Sequence, residues 1–233
     1  MRRRNRRLTD RLLQNSDFAY RRRLLLDGMR PGSIALVPAA SEQRRNRDVY
    51  FPFRQDSDFY YLTGFCEPHA LLVLIPGRAQ GESILFCQER DPVRERREGS
   101  ILGPEACEAA LGVDDAFPIL DVHDILPGLL EARSQIYMNM GEYPIWDRRL
   151  TSYIEALAKQ RSVQEAEVGE IIALGHLLHE QRLIKSRKEQ QLMSSAAEIS
   201  VVAQYQALSI MGPGINEGEL EAELLYSYRR QGA

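Results

Sequence analysis

Cysteine is scarce in this sequence and follows no pairing pattern. The three cysteines are Cys66, Cys87 and Cys107, and no two of them have Cys-x-x-Cys spacing. An odd number of cysteines at such spacings is typical neither of a disulfide framework nor of a zinc knot. No histidine and acidic residue accompany them in the pattern of a cysteine nucleophile. We therefore expect all three to be buried structural thiols.

Long apolar runs are also missing. No stretch approaches the roughly 18 uninterrupted apolar residues that span a bilayer, and no apolar segment of a secretory signal follows the Arg-rich start. The 33 acidic and 30 basic residues give a formal net charge of -3, which favours neither nucleic acid nor a membrane surface as partner. Because the arginines at the start have few aromatic neighbours, residues 1–17 are interpreted as a solvated extension rather than a nucleic-acid-binding arm. We expect a cytoplasmic protein.

Several signature motifs of enzymes are absent. No GxSxG, Walker A or GxGxxG sequence occurs, so serine hydrolase, P-loop and Rossmann interpretations have no motif to support them. His176 and His179 have a spacing that two ligands on one helix could share. A His-Glu-x-x-His zinc motif would need histidine at position 183, where Leu183 stands. We interpret these histidines as a helix cap or an interdomain hydrogen-bonding pair.

Apolar periodicity predicts strands that alternate with helices, and therefore an α/β domain with a central sheet between helical layers. The predicted strands are 33–38, 59–65, 70–75, 83–87 and 135–139, of which 70–75 and 83–87 form a hairpin. The predicted helices are 17–29, 104–111, 122–131, 146–161, 171–183, 188–211 and 217–230. Residues 41–48 are predicted to be a charged loop.

A polar stretch without periodicity, residues 162–169, predicts a domain boundary. It divides the chain into the extension 1–17, a first domain 18–165 and a second segment 170–233. The second segment contains helices but no sheet on which to pack. Its long helix has a stripe of spaced apolar residues, namely Leu192, Ala196, Ile199, Ala203 and Leu208. We interpret 170–233 as the opening of a larger domain.

Two separated blocks resemble bacterial aminopeptidase P. Residues 50–65 read YFPFRQDSDFYYLTGF, similar to that family's hallmark of an arginine, Ser-Asp-Phe, an aromatic pair and Thr-Gly-Phe. A second block resembles the Arg-x-x-Lys-Ser-x-x-Glu joint through which the family passes into its catalytic domain. It comprises His179, Arg182, Lys185, Ser186 and Glu189. The resemblance runs from about Phe18 to Ala233.

The resemblance implies a three-layer α/β N-terminal domain with a central mixed sheet, followed by an incomplete helical opening of an α+β pita-bread domain. In this family the N-terminal domain serves oligomer assembly and shapes the substrate cleft. The pita-bread domain holds two divalent ions, usually manganese, between two Asp, one His and two Glu. Water activated by the two ions attacks the peptide bond before proline in peptides with proline at the second position.

All five family ligands fall after Ala233, so the resemblance implies no catalytic or metal-binding residue in this chain, which alone is expected to be inactive. It does imply four candidates for the substrate cleft or an interface: Asp48, Arg54, Asp58 and Arg97. Arg97 stands where the family often has a tryptophan that walls a neighbouring subunit's pocket, and arginine presents no such flat apolar wall. Arg54, Asp56 and Asp58 are expected to form a buried ion-pair network.

Two classes of function stay open. The chain is either a fragment of a proline-specific metallo-aminopeptidase or a non-catalytic module that binds peptides or pairs with full-length subunits. Ending inside a helical opening favours the fragment. A natural short chain would leave the apolar stripe of residues 188–210 uncovered, and homo-oligomers through that surface are then expected.

Overall fold

The structure is a computed structural model that describes residues 12–131, 133–160 and 169–233. Residues 15–182 form one compact unit, and residues 183–233 belong to a second. Most of the predicted extension and most of the predicted boundary at 162–169 lie outside the described residues. Residues 170–182, predicted to belong to the second segment, are instead part of the unit that contains the sheet.

The first unit alternates strands and helices as the sequence predicts. Its helices are α1 (Asn15–Gly28), α2 (Ser57–Thr63), α3 (Pro92–Glu98), α4 (Pro104–Leu111), α5 (Val122–Leu130), α6 (Pro144–Gln160) and α7 (Gly175–Leu183). Its strands are β1 (Ser33–Pro38), β2 (Arg44–Asn46), β3 (Val49–Tyr50), β4 (Leu71–Leu74), β5 (Ser83–Cys87), β6 (Asp115–Pro118), β7 (Gln135–Tyr137) and β8 (Glu170–Ile172). The second unit contains α8 (Arg187–Ile210) and α9 (Glu217–Gln231).

Six strands form a mixed sheet in the order β6-β5-β4-β1-β7-β8. Strand β4 is antiparallel to both of its neighbours, whereas β5 pairs with β6, and β7 pairs with β1 and β8, in parallel. All strands of this sheet except β4 therefore point the same way, and their carboxyl ends meet at one edge. Strands β2 and β3 form a separate hairpin within the segment predicted to be a loop.

The central strands β1, β4 and β5 are buried along their whole length and almost entirely apolar, because helices cover both faces of the sheet. Alternate residues pack on α1, α2, α4 and α7; they are Ala35, Val37, Leu72, Leu74, Leu85 and Cys87. The residues between them pack on α5 and α6; they are Ile34, Leu36, Leu71, Val73, Ile84 and Phe86. The predicted α/β fold with a central mixed sheet between two helical layers is confirmed.

The predicted strand over 59–65 is wrong, because these residues form helix α2. The Asp56 carboxylate accepts hydrogen bonds from two backbone N–H groups of the first turn, at 2.9 and 2.8 Å, which is a helix N-cap. Phe59, Leu62 and Thr63 are buried together at helical spacing. Gly64 ends the helix with a φ of 66°. The aromatic run that indicated a strand forms one face of this helix. The sequence also contained the signal for a helix, namely Asp56 as its N-cap.

Three further differences concern the edges of the sheet. The helix predicted from 171 begins only at Gly175, because Glu170–Ile172 pair in parallel with β7 as strand β8. Strand β6 and helix α3 were not predicted. The sequence does contain a start signal for helix α3, since Asp91 caps its first turn at 2.8 Å and Pro92 follows.

The two cysteines Cys87 and Cys107 are buried as expected, but Cys66 is only half-buried.

A buried arginine joins three helices of the first unit. Arg22 of α1 donates from Nη1 to the carbonyl of Leu62 at 2.9 Å, and from Nη2 to the carbonyls of Leu111, at 3.3 Å, and Gly112. These carbonyls end α2 and α4, where the helix dipoles are negative. Burial lowers the pKa of Arg22 to about 10, opposed by the charge of Asp114, so the guanidinium is charged at neutral pH.

The second unit is a hairpin of two long helices. Ile199, Ala203 and Ala207 are the buried residues of α8. The stripe that the sequence indicated is thus only partly correct, because Ala196 and Leu208 are exposed. Further apolar side chains of α8 are exposed; they include Met193, Val201, Tyr205, Leu208 and Ile210. None of the described helices combines the length and apolar character needed to cross a bilayer.

Candidate functional site

A cleft of about 710 Å³ opens at the carboxyl edge of the sheet. Segments that follow β1, β6 and β7 contribute most of the lining, with residues drawn from 39–43, 119–123, 142–146 and Arg149. Residues 51–54 and His69, which precedes the antiparallel strand β4, complete the lining. In open α/β sheets this edge is the usual position of ligand sites, and the volume lies within the common range for small ligands.

The walls of the cleft are largely aromatic and apolar. The members of this wall are Phe51, Phe53, Leu120, Tyr143, Ile145 and Trp146. Three of them remain open to solvent, with exposed fractions of 52% for Phe51, 72% for Leu120 and 52% for Ile145. Trp146 is the one tryptophan of the sequence, so its fluorescence reports on this cleft alone.

Basic groups outnumber acidic ones in the cleft lining. The basic members are Arg54, His69, His123 and Arg149, and the acidic member is Glu142. The guanidinium carbon of Arg149 lies 4.8 Å from the centre of the Trp146 ring, which is a cation–π contact. The Nδ1 atom of His123 lies 2.6 Å from the Tyr153 hydroxyl. Glu142 accepts a hydrogen bond from the Asn139 amide at 3.1 Å.

Gln55 holds the segments behind the cleft together. Its carbonyl oxygen accepts from the backbone N–H of Ala40 at 2.8 Å and of Asp56 at 2.9 Å. Its amide group donates to the carbonyls of Phe65 at 3.2 Å and Glu67 at 2.8 Å. All four hydrogen bonds are to backbone, so one side chain fixes three separate stretches of chain. Its role was not visible in the sequence.

Tyr143 connects the cleft wall to the cap of α2. Burial, together with the hydrogen bond that its hydroxyl makes to the Asp56 carboxylate, raises the pKa of Tyr143. The phenol therefore stays protonated and donates to Asp56 at neutral pH. Asp56 thus caps α2 and also accepts a hydrogen bond from Tyr143, the residue directly before α6. Neither contact involves Arg54.

The predicted cluster of Arg54, Asp56 and Asp58 is not a buried network. Asp58 instead pairs with Arg182 of α7, 124 residues away, and the Arg182 guanidinium carbon lies 5.6 Å from the Tyr61 ring centre. Arg54 is exposed and lines the cleft. The reason is that the two carboxylates have other partners, Asp56 in the α2 cap and at Tyr143, and Asp58 at Arg182.

The remaining cleft candidates lie apart from one another. Asp48 is exposed at the turn between β2 and β3, whereas Gln43 and Phe51, at the base of that hairpin, line the cleft. Arg97 lies in α3, and its side chain is outside the described part of the structure. The roles assigned to Asp48, Arg54, Asp58 and Arg97 in substrate binding stay predictions.

The predicted joint motif divides between the two units. Arg182 ends the first unit with its ion pair to Asp58. In the second unit Ser186 and Glu189 form a reciprocal capping box at the start of α8, at 3.3 and 2.7 Å, and Lys185 donates to the Leu183 carbonyl at 3.1 Å. The Ser-x-x-Glu spacing is a readable signal for this cap. His179 is exposed on α7.

Metal ligands are not assembled in this part of the protein. Across residues 12–131, 133–160 and 169–233, no group of three or more His, Cys, Asp or Glu side chains is placed to hold a metal ion. The two-manganese centre that the resemblance implies therefore has no ligand set among these residues.

The first unit is thus an α/β domain with a ligand-sized cleft at the carboxyl edge of its sheet. The family described as "Aminopeptidase P, N-terminal domain" matches residues 18–137. The chain belongs to the aminopeptidase P family. It is 36% identical to the Xaa-Pro aminopeptidase of Escherichia coli (strain K12) over 222 residues, which are 95% of this chain and 50% of that protein.

Solved structures agree with this membership. The structure of Pseudomonas aeruginosa aminopeptidase PepP matches with a TM-score of 0.91 and 48% identity, over 95% of this chain and 50% of that one. Zinc-substituted E. coli aminopeptidase P in complex with product matches with a TM-score of 0.89 and 36% identity, over the same shares. The chain spans about half the length of the curated relatives it matches.

Proposed function

We propose that this chain is the N-terminal portion of a proline-specific metallo-aminopeptidase, which removes the first residue from peptides with proline at the second position. The observation that carries the proposal is the match of 95% of the chain to half the length of an Xaa-Pro aminopeptidase, together with the match of residues 18–137 to the family's N-terminal domain. The whole enzyme would use two manganese ions and act in the cytoplasm.

Fractionation of source cells tests the proposed location. A pool of the protein in the membrane or outside the cell would contradict it.

In this proposal the described residues supply a scaffold and a cleft, not the hydrolytic centre. The ion pair between Asp58 and Arg182 fixes α2 against α7 at the end of the first unit. The capping box of Ser186 and Glu189 then sets where α8 begins. The joint motif is therefore explained by two local roles, an ion pair at the end of the first unit and a capping box at the start of α8.

A polypeptide of these 233 residues is expected to be inactive by itself. Incubated with manganese and an Xaa-Pro peptide, it should release the first residue no faster than manganese in buffer, because its described residues offer no metal-ligand cluster. Amino-acid release measured by mass spectrometry checks this. Manganese-dependent release that a chelator abolishes would contradict the prediction.

A fusion tests the family activity itself. Joining this chain to the second half of the E. coli Xaa-Pro aminopeptidase should restore manganese-dependent release of the first residue. The same second half expressed without this chain is the control. A folded fusion that stays inactive would argue for the alternative, a non-catalytic module derived from the same family. The cleft within the first unit is the observation that favours this alternative, since a binding role needs no metal.

For the alternative of a naturally short, non-catalytic chain, we also propose homo-oligomers through the exposed apolar face of α8. Val201 and Tyr205 are 53% and 71% exposed and lie one turn apart, and such faces usually mark contact surfaces. Light scattering should show a mass above 26.6 kDa that rises with concentration. Val201→Lys with Tyr205→Lys should restore the monomer, and Gln206→Lys, on a different face of the same helix, should not. A wild-type monomer at all concentrations would refute this.

A further inference from the structure

We propose that the cleft at the carboxyl edge of the sheet binds a small organic carboxylate attached to an apolar side chain, such as the free carboxyl end of a short peptide. This binding would be a property of the first unit alone. It goes beyond the proposed peptidase function, because it needs neither a metal ion nor any residue outside 15–182.

The charge of the lining selects an anion. Arg54 and Arg149 bring two permanent positive charges, against the single carboxylate of Glu142. Glu142 is already held by the Asn139 amide. The chain as a whole has a formal net charge of -3, so the positive charge of the cleft is opposite in sign to that of the chain. It would concentrate small anions and repel free cations.

The contact between Arg149 and Trp146 prepares a carboxylate site. One face of the Arg149 guanidinium lies over the indole, 4.8 Å from the centre of the ring. Stacking of this kind keeps the planar group in place while its N–H edge remains able to donate two parallel hydrogen bonds. A carboxylate accepts such a pair of bonds with matching geometry.

The apolar wall selects what the carboxylate is attached to. Phe51, Leu120 and Ile145 line the cleft yet remain more than half exposed. Burying them against an apolar side chain would be favourable, at roughly 25 cal/mol for each Å² removed from water. An inorganic anion would leave these apolar side chains exposed to water, so an amphipathic ligand fits the lining better.

The cleft requires little ordering before a ligand binds. Gln55 fixes Ala40 on one wall by a hydrogen bond of 2.8 Å, and Asp56 holds Tyr143 on another. Walls that are already in place reduce the entropy lost on binding. The volume of about 710 Å³ accommodates a blocked amino acid or a dipeptide rather than a folded partner.

Titration of the 233-residue chain with N-acetyl-leucine, without metal, tests the proposal. Trp146 fluorescence should change saturably, and calorimetry should give the same constant. N-acetyl-leucine amide, which lacks the charge, should bind about tenfold more weakly or worse. No saturable binding of the acid up to about 10 mM would overturn the proposal, as would equal binding of acid and amide.

Variants place the ligand in the cleft. Arg149→Gln and Arg54→Gln should each weaken binding about tenfold, whereas Arg148→Gln, on the same helix but outside the lining, should leave it unchanged. Leu120→Asp is a second route if an arginine variant fails to fold, since Leu120 is 72% exposed and its replacement brings a repelling charge. Unchanged binding in the folded variants would refute the site.

A nucleoside monophosphate is the competing anion, because a base could stack on Trp146 while arginine holds the phosphate. Tighter binding of uridine monophosphate than of N-acetyl-leucine would overturn the carboxylate assignment. The absence of peptidase activity in any chain or fusion would not affect these titrations. Failure here and failure of the proposed function are therefore distinguishable.

Discussion

Replacing Arg22 with methionine is expected to lower the free energy of unfolding of the first unit by about 3–5 kcal/mol. The guanidinium serves three carbonyls, those of Leu62, Leu111 and Gly112. Methionine fills a similar volume but donates nothing, so buried acceptors at the ends of α2 and α4 would lose their donor. Urea unfolding followed by Trp146 fluorescence measures the loss, because that tryptophan lies in the first unit.

The adjacent Arg23 provides the matched control. Its side chain is 60% exposed and forms ion pairs with Asp27 at 2.9 Å and Glu82 at 2.6 Å. Surface pairs of this kind contribute about 1 kcal/mol or less, so Arg23→Met should cost no more. Arg22→Lys should fall between the two variants, because an ammonium keeps the charge but cannot reach all three carbonyls. Equal losses for Arg22→Met and Arg23→Met would show that water replaces the missing donor.

The strands predicted correctly are those that helices cover on both faces. The runs at 33–38, 70–75 and 83–87 are apolar apart from the serine that begins two of them, and in the structure each of their strands is buried along its whole length. A short run of this kind predicts a strand covered on both faces, because only such a strand places every one of its side chains in the core. At the sheet edge the signal weakens, as in β8, whose residues are exposed or half-buried.

The segment 59–65 shows how a local cue can mislead. Its aromatic residues have high strand propensity, yet the Asp56 side chain satisfies the N–H groups of a first helical turn. Gly64 supplies the left-handed residue that ends that turn. The capping residues, not the composition of the segment, decided its structure. Reading the cap before the propensity would have predicted a helix.

The candidate site was visible in the sequence only in part. Trp146 and Arg149 are one turn apart on a helix that the periodicity predicts, so their stacking could have been found. The pair of Asp58 and Arg182 joins residues 124 apart, and no local pattern reports such a contact. The cleft exists because parallel strands deliver loops to one edge, which depends on strand order rather than on any motif.

Replacing Gly64 with alanine is expected to destabilise the first unit by about 2–4 kcal/mol, the sum of two separate costs. The φ of Gly64 is 66°, in the region that disfavours a Cβ. An added Cβ would also lie 2.6 Å from two ring atoms of Phe18. Because Phe18 is buried and packs edge-on against Tyr60, the ring cannot yield without losing contacts. Urea unfolding followed by Trp146 fluorescence measures the change.

Gly77→Ala separates strain from collision. Gly77 has a φ of 72°, but an added Cβ would meet no atom within 4 Å, so this variant should lose only about 1 kcal/mol through its backbone. The excess loss at Gly64 measures the collision. It should shrink when Phe18→Leu is combined with Gly64→Ala, since a smaller side chain leaves space for the Cβ, and a double-mutant cycle reports that coupling. Equal losses at Gly64 and Gly77 would mean that the Phe18 ring moves aside at no cost, and the close packing of α1 on the end of α2 would then not be a source of stability.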